Sequence, residues 1–211
     1  MTLAKPIEAL GTTGIEIGDD HSALATVLHP ECSAAIWQRQ TPPHVQSWLD
    51  ALDPEHLPRG RVILPPSVVT DTVDHLCNLS GLPLGNERSW LHKDIVSLAT
   101  LFSELVQAKF LRLRLDVVST NACRKFHVDA ITARLVCAYR GTGTQYGFVT
   151  GDEDPDRIYT VPTGSPIILR GTLWPADPPS GLLHRSPPIE GTGETRLVLV
   201  LDPVFDPEDD A

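Results

Sequence analysis

From residue 109 onward the chain is cut into short segments rich in β-branched and apolar residues, and that texture restricts the fold more than any other feature. The segments are LRLRLDVVS (111–119), ITARLVCAY (131–139), TQYGFVT (144–150), RIYTVP (157–162), SPIILRG (165–171) and TRLVLVLD (195–202). Each has strand length and strand composition. Turn residues part them: Gly141-Thr142-Gly143, Asp154-Pro155-Asp156, Pro178-Pro179-Ser180-Gly181 and Gly191-Thr192-Gly193. A run of short strands with Gly and Pro turns points to a sandwich or barrel of the jelly-roll kind.

Residues 1–108 carry a different pattern. PHVQSWLDAL (43–52) has apolar residues at helical spacing behind Pro42 and Pro43, which suit a helix start. SVVTDTVDHLCNLSG (67–81) is predicted to be a helix capped by Ser67 and stopped at Gly81. NERSWLHKDIVSLATLFSELVQAKF (86–110) is the longest periodic stretch, with Trp90, Leu91, Ile95, Leu98, Leu101, Phe102 and Leu105 as its apolar stripe. AAIWQR (34–39) reads as a short strand ahead of these helices. The expected architecture is α+β and a single domain over 1–211. A mostly helical part (1–108) packs outside a β-barrel (109–205), and the acidic end, DPVFDPEDDA, runs out into a solvated tail at 206–211.

Charge narrows the partners. Lys and Arg number 17 against 27 Asp and Glu, a formal net charge of -10, with no basic cluster. Nucleic acid and anionic membrane surfaces are poor partners for such a chain. The expected partner is a substrate, small molecule or otherwise. MTLAKPIEALGTTGIEIGDD lacks the apolar core of a signal peptide, and no apolar run approaches a membrane span, so a cytoplasmic location is expected. Cys32, Cys77, Cys123 and Cys137 form no Cys-x-x-Cys pair and are expected as free thiols.

The chemistry-bearing pattern is His127-Val128-Asp129, followed by a lone His184. Residues i and i+2 of a strand point to one side, so one strand can aim an imidazole and a carboxylate at one point. A histidine from a later strand completes two histidines and one carboxylate, the facial set of non-haem Fe(II) oxygenases. A second such tripeptide, His92-Lys93-Asp94, lies in the long helical stretch, where i and i+2 diverge, and reads as solvent-facing helix surface. Arg196 opens a segment that is apolar at both parities, hence buried on both faces. A buried arginine needs a carboxylate, either the far end of a 2-oxo acid or a protein group such as Asp116. Cys123 precedes His127 by four residues. In an extended strand it is too far from His127 to share an ion, whereas in a loop it could close a tetrahedral zinc site; a packed or neighbouring thiol is the other reading.

Other features read as structural. Arg112 and Arg114, alternating with leucines, suit a solvated strand face. Trp174-Pro175 suits a loop packed on the barrel rim, and Gly151-Asp152-Glu153-Asp154-Pro155-Asp156 suits an exposed acidic turn without EF-hand spacing.

NACRKFHVDAITARLVCAYRGTGTQYG (121–147), LRGTLWP (169–175) and GLLHRSPPIEGTGETRLVLVLD (181–202) together resemble the bacterial family called domain of unknown function 1826. The motif order is similar to that of the 2-oxoglutarate/Fe(II) dioxygenase superfamily. That resemblance implies a double-stranded β-helix, cupin-like, with metal ligands at His127, Asp129 and His184 and the co-substrate anchor at Arg196. It implies Fe(II) with 2-oxoglutarate as cofactors; the alternative is a non-catalytic, zinc-linked protein on the same ligands, with or without Cys123. The hydroxyl residue often found two positions after the anchoring arginine is Val198 here, and Tyr139, Tyr146 and Asn121 are the available further anchors.

Overall fold

The structure, a computed structural model, describes residues 14–149, 154–175 and 180–206. The acidic residues 207–211, residues 151–153 of the Gly151–Asp156 turn and Pro178-Pro179 lie outside them.

Among the described residues there are ten strands: β1 (Gly14–Gly18), β2 (Cys32–Trp37), β3 (Gly60–Leu64), β4 (Phe110–Val118), β5 (Ala133–Arg140), β6 (Gln145–Phe148), β7 (Tyr159–Thr160), β8 (Pro166–Arg170), β9 (Leu182–Arg185) and β10 (Arg196–Val204). Seven form one sheet in the order β1-β2-β8-β5-β10-β4-β3, and three form a second in the order β7-β6-β9. The helices are α1 (Pro43–Ala51), α2 (Val69–Leu79) and α3 (Asn86–Val106).

Strand parity explains how the layers assemble. On one face of the large sheet, Leu111, Leu113, Leu115, Leu135, Leu199 and Leu201 pack against Leu49, Ile95 and Phe102 of the helices. The opposite face carries Ala34, Ile36, Val136, Ile167, Leu169, Val198 and Val200, which pack against Tyr146 and Leu182 of the small sheet and Val161 just after β7. The order is therefore helices, large sheet, small sheet. β10 is buried at every position because it is covered on both faces, as its unbroken apolar run requires.

The helices fall close to where periodicity puts them, although α3 ends at Val106 and Phe110 begins β4. Pro42 and Pro43 start α1. Gly81 ends α2 with φ +67, its N–H donating to the Asn78 carbonyl at 3.0 Å, a backbone state only glycine adopts without strain. Several expectations need correction. Ser67 does not cap α2; it sits inside a 3-10 turn (Pro66–Val68), and α2 begins without a side-chain cap. The strand expected at 34–39 is β2, but the first half is less helical than expected, because β1 and β3 also lie at the two edges of the large sheet. GIEIG and GRVIL are too short for their alternation to stand out. Asp202, Pro203 and Val204 are buried in β10 rather than part of a solvated end. Asp94 is not solvent-facing: it pairs with Arg39 at 2.5 Å and accepts from the Tyr139 hydroxyl at 2.6 Å.

All four cysteines are free, and only Cys123 is exposed. Among the described residues, no helix is long and apolar enough to cross a membrane.

Candidate metal centre

The centre begins with a β-bridge. His127 N–H donates to the His184 carbonyl at 3.1 Å and His184 N–H to the His127 carbonyl at 3.0 Å, which adds residue 127 to the free edge of β9. Residues directly paired across antiparallel strands put their side chains on the same face. The two imidazole centroids consequently stand 4.6 Å apart. Asp129, two residues on, returns to that face.

Each of His127, Asp129 and His184 contributes one ligand atom to a cluster whose atoms all lie within 4.8 Å of one another. His184 Nε2 is 3.0 Å from Asp129 Oδ2, and His127 Nε2 is 3.5 Å from Asp129 Oδ1. The short approach at His184 is not aligned as a hydrogen bond: Asp129 Oδ2 is buried with no hydrogen-bond donor. Adjacent ligands on bonds of ~2.1 Å at right angles stand ~3 Å apart, so the spacing suits a divalent cation. His127 Nδ1 lies 2.9 Å from the Lys125 carbonyl. A carbonyl only accepts, so in the neutral imidazole Nδ1 carries the hydrogen and the Nε2 lone pair is free for a metal.

The other carboxylate oxygen is spoken for. Arg134, on β5, donates from Nη1 to Asp129 Oδ1, and from Nε and Nη2 to Asp202 at 2.6 and 3.0 Å. Asp202 is 1% exposed and also receives Arg114 Nη2 at 3.3 Å. Burial pushes the Asp129 carboxyl up, but His184, Arg134 and His127 outweigh it and hold the group below the usual range. Burial likewise opposes the charge of Arg134, and Asp202 and Asp129 more than offset it. Asp129 is thus ionised, fixed at one oxygen and open at the other.

Glycine brings the supporting turn close. Gly171 N–H donates to the Thr132 carbonyl, and Thr172 N–H to the Asp129 carbonyl, both at 2.9 Å. A Cβ on Gly171 would stand 1.9 Å from the Ile131 carbonyl oxygen, so only glycine fits behind the aspartate.

Arg196 is 2% exposed and donates from Nε to the Thr142 carbonyl at 2.6 Å. Among the described residues no carboxylate lies within ion-pair distance of it, Asp116 included. Burial pulls its pKa down to about 10, with Glu194 opposing. Tyr146, opposite His184 in register, shares its face and is 6% exposed. Tyr139 turns to the helical layer, and Asn121 is spent on Ile189 N–H, Glu190 N–H and the Glu190 carboxylate. Cys123 is exposed and not part of the three-residue cluster. Trp174 packs on the helix-side core, with the Arg170 guanidinium 4.7 Å over its ring.

Sequence reading missed Arg134, Asp202 and Arg114. The signal was parity: Asp202 stands an even number of residues from Arg196, and the register pairs Arg112 with Asp202 and Arg114 with Val200. Arg112 and Arg114 thus share the face that carries Arg134 and Asp202. They do not lie on a solvated strand face.

The family described as "Protein of unknown function (DUF1826)" matches residues 18–202. The chain belongs to that family. No curated protein matches it. Among solved structures, the Arabidopsis thaliana dioxygenase for auxin oxidation 1 in its 2-oxoglutarate complex is similar, at TM-score 0.52 and 10% identity, over 92% of this chain and 93% of that one. The rice dioxygenase for auxin oxidation matches at TM-score 0.50 and 13% identity, over 95% and 85%. A Burkholderia pseudomallei oxidoreductase of the 2OG-Fe(II) oxygenase family matches at TM-score 0.43 and 14% identity, over 92% and 95%. At these identities the first two likenesses are ones of fold alone.

Proposed function

We propose that this protein is a non-haem Fe(II)- and 2-oxoglutarate-dependent oxygenase acting in the cytoplasm. The observation that carries the reading is the convergence of His127 Nε2, His184 Nε2 and an orphaned buried oxygen of Asp129. Two imidazoles and one carboxylate with open positions suit Fe(II) among common metals. Bound there with 2-oxoglutarate and dioxygen, the iron would supply the oxidation of a substrate C–H bond.

The chain's own residues have separable tasks. The Lys125 carbonyl fixes the tautomer of His127, and Arg134 leaves one Asp129 oxygen for the metal. Arg196, buried and cationic without an ion-pair partner among the described residues, would receive the distal carboxylate of 2-oxoglutarate in a bidentate contact. Tyr146, beside His184, would border the same space. The path of the chain agrees with a double-stranded β-helix: β4, residue 127, β5, β6, β7, β8, β9 and β10 are divided between two facing sheets. Four free cysteines suit a reducing compartment.

The test is elemental analysis of protein purified without chelator or metal affinity, then anaerobic absorption spectroscopy with Fe(II) and 2-oxoglutarate. Near-stoichiometric iron and a visible band requiring both additions are expected. Asp129→Ala should abolish both, and Arg196→Met should weaken only the response to 2-oxoglutarate. Tight zinc with no such band would replace the oxygenase reading with a metal-binding role.

A further inference from the structure

We infer that Arg114 and Arg61 form the anchor for an oxyanion, a carboxylate or phosphate, on the substrate of this site. This deepens the oxygenase reading and rests on it for the reaction, though the anion site itself stands on separate observations.

The first is register. Arg61 of β3 is directly paired with Arg114 of β4. Like charges directly opposite on neighbouring strands repel, a costly arrangement unless an anion lies between them. The feature stands out in a chain of net charge -10.

The second is an unmet donor. Arg114 Nε is buried with no acceptor, while the side chain as a whole keeps 21% of its exposure. Its one carboxylate contact is a long 3.3 Å to Asp202 Oδ2, an oxygen already receiving Arg134. Burial disfavours the charge of Arg114, Arg134 and Arg61 add repulsion, and Asp202 and Asp116 compensate only in part. A guanidinium that keeps part of its surface exposed, with a single N–H on a carboxylate, still has an open edge for contact with an oxyanion.

The third is position. Arg114 shares a sheet face with Asp202 and Arg134, and Arg134 is the residue that holds Asp129. Two groups link the sites, the Asp202 carboxylate and the Arg134 guanidinium. An acid held at Arg114 would therefore lie on the sheet face that supports the metal centre. Arg196 touches a different part of the fold, the Gly141–Thr142 turn at the far end of β10, so co-substrate and substrate would have separate cations.

The test titrates inorganic phosphate and acetate into chelator-treated protein by calorimetry. The variants are Arg114→Met, Arg114→Lys, Arg61→Gln and Arg196→Met, with near-UV circular dichroism checking the fold. Loss of a charge-assisted contact should weaken binding of at least one oxyanion by about 10–100-fold in Arg114→Met. Arg114→Lys should recover part of it, and Arg61→Gln, at an exposed position, should weaken it by about 2–5-fold. A component that survives in Arg196→Met is expected. Absence of oxyanion binding in the unsubstituted protein, or binding that Arg114→Met and Arg61→Gln leave intact, overturns the inference. Iron uptake is measured separately on the same proteins. Because the anion is read without metal, failure of the metal reading and failure of the anion site are distinguishable.

Discussion

Replacing Asp202 by Asn isolates the charge that organises the centre. The side chain is 2% exposed and receives three guanidinium N–H groups, two from Arg134 at 2.6 and 3.0 Å and one from Arg114 at 3.3 Å. Asparagine keeps the shape, removes the charge and turns an N–H₂ toward one guanidinium. Breaking a buried ion pair from one side costs about 3–5 kcal/mol, because the partner charge stays buried and uncompensated. Against a typical total of ~5–15 kcal/mol, that is a large fraction of the stability. For a chain of this size Tm falls ~2–4 °C per kcal/mol, so a drop of about 6–20 °C is expected. Urea unfolding followed by circular dichroism measures the change, and a double-mutant cycle with Arg134→Met isolates the coupling. The double variant should be less destabilised than the sum of the singles, since each single leaves the other's charge buried without this partner; Arg114 and Asp129 still lose one contact each. Iron affinity should fall ~10–100-fold in Asp202→Asn, the usual effect of losing support behind a ligand. A stability within ~0.5 kcal/mol of the parent, or a purely additive cycle, would refute the claim that Asp202 neutralises Arg134.

Three further outcomes follow from the same contacts. Gly171→Ala should cost ~1–3 kcal/mol and weaken metal binding together, because its Cβ would meet the Ile131 carbonyl oxygen at 1.9 Å and push the Asp129 turn; equal iron uptake at lowered Tm would separate the turn from the site. A thiol reagent should label one cysteine of four in the native protein, Cys123, and all four in denaturant, as read by mass spectrometry; rapid native labelling of Cys32, Cys77 or Cys137 would contradict their burial. Stability should decline at alkaline pH. Burial raises Tyr139 well above its ordinary 10.0 and Cys137 from 9.0 to about 12. Their neutral forms are favoured in the fold, so this stability is complete below pH ~9 and is lost as pH rises through the folded values. Chemical denaturation between pH 8 and 11 checks the sign, and a rising or flat profile contradicts it.

The sequence made the β-rich second half legible because its strands are bounded by Gly and Pro and because β10 is apolar at both parities. It made the cluster legible for the same reason: His127 and Asp129 share a parity, and a strand-borne histidine follows. β1 and β3 were not legible, since five residues with glycine at one end give too little alternation to outweigh surrounding turns. Asp202 was hidden for another reason. An acidic residue beside Pro203 near an acidic terminus looks solvated, and only the pairing of β10 with β4 and β5 shows that it faces two arginines from within. Arg112 and Arg114 misled similarly. Alternation with leucine reveals two faces but not that the polar one borders a functional site. The Asp94 reading failed because helix position alone does not show Arg39 arriving from 55 residues away in sequence.

The central claim is that His127, Asp129 and His184 hold one divalent cation and leave the rest of its coordination open. Anomalous diffraction from crystals grown with Mn(II), a redox-stable substitute for Fe(II), addresses it most directly. One peak is expected, bonded to His127 Nε2, His184 Nε2 and Asp129 Oδ2 at ~2.1 Å, with Arg134 still on Asp129 Oδ1 and Cys123 unbound. No peak at the cluster, or a closed site with Cys123 as fourth ligand, would contradict the account.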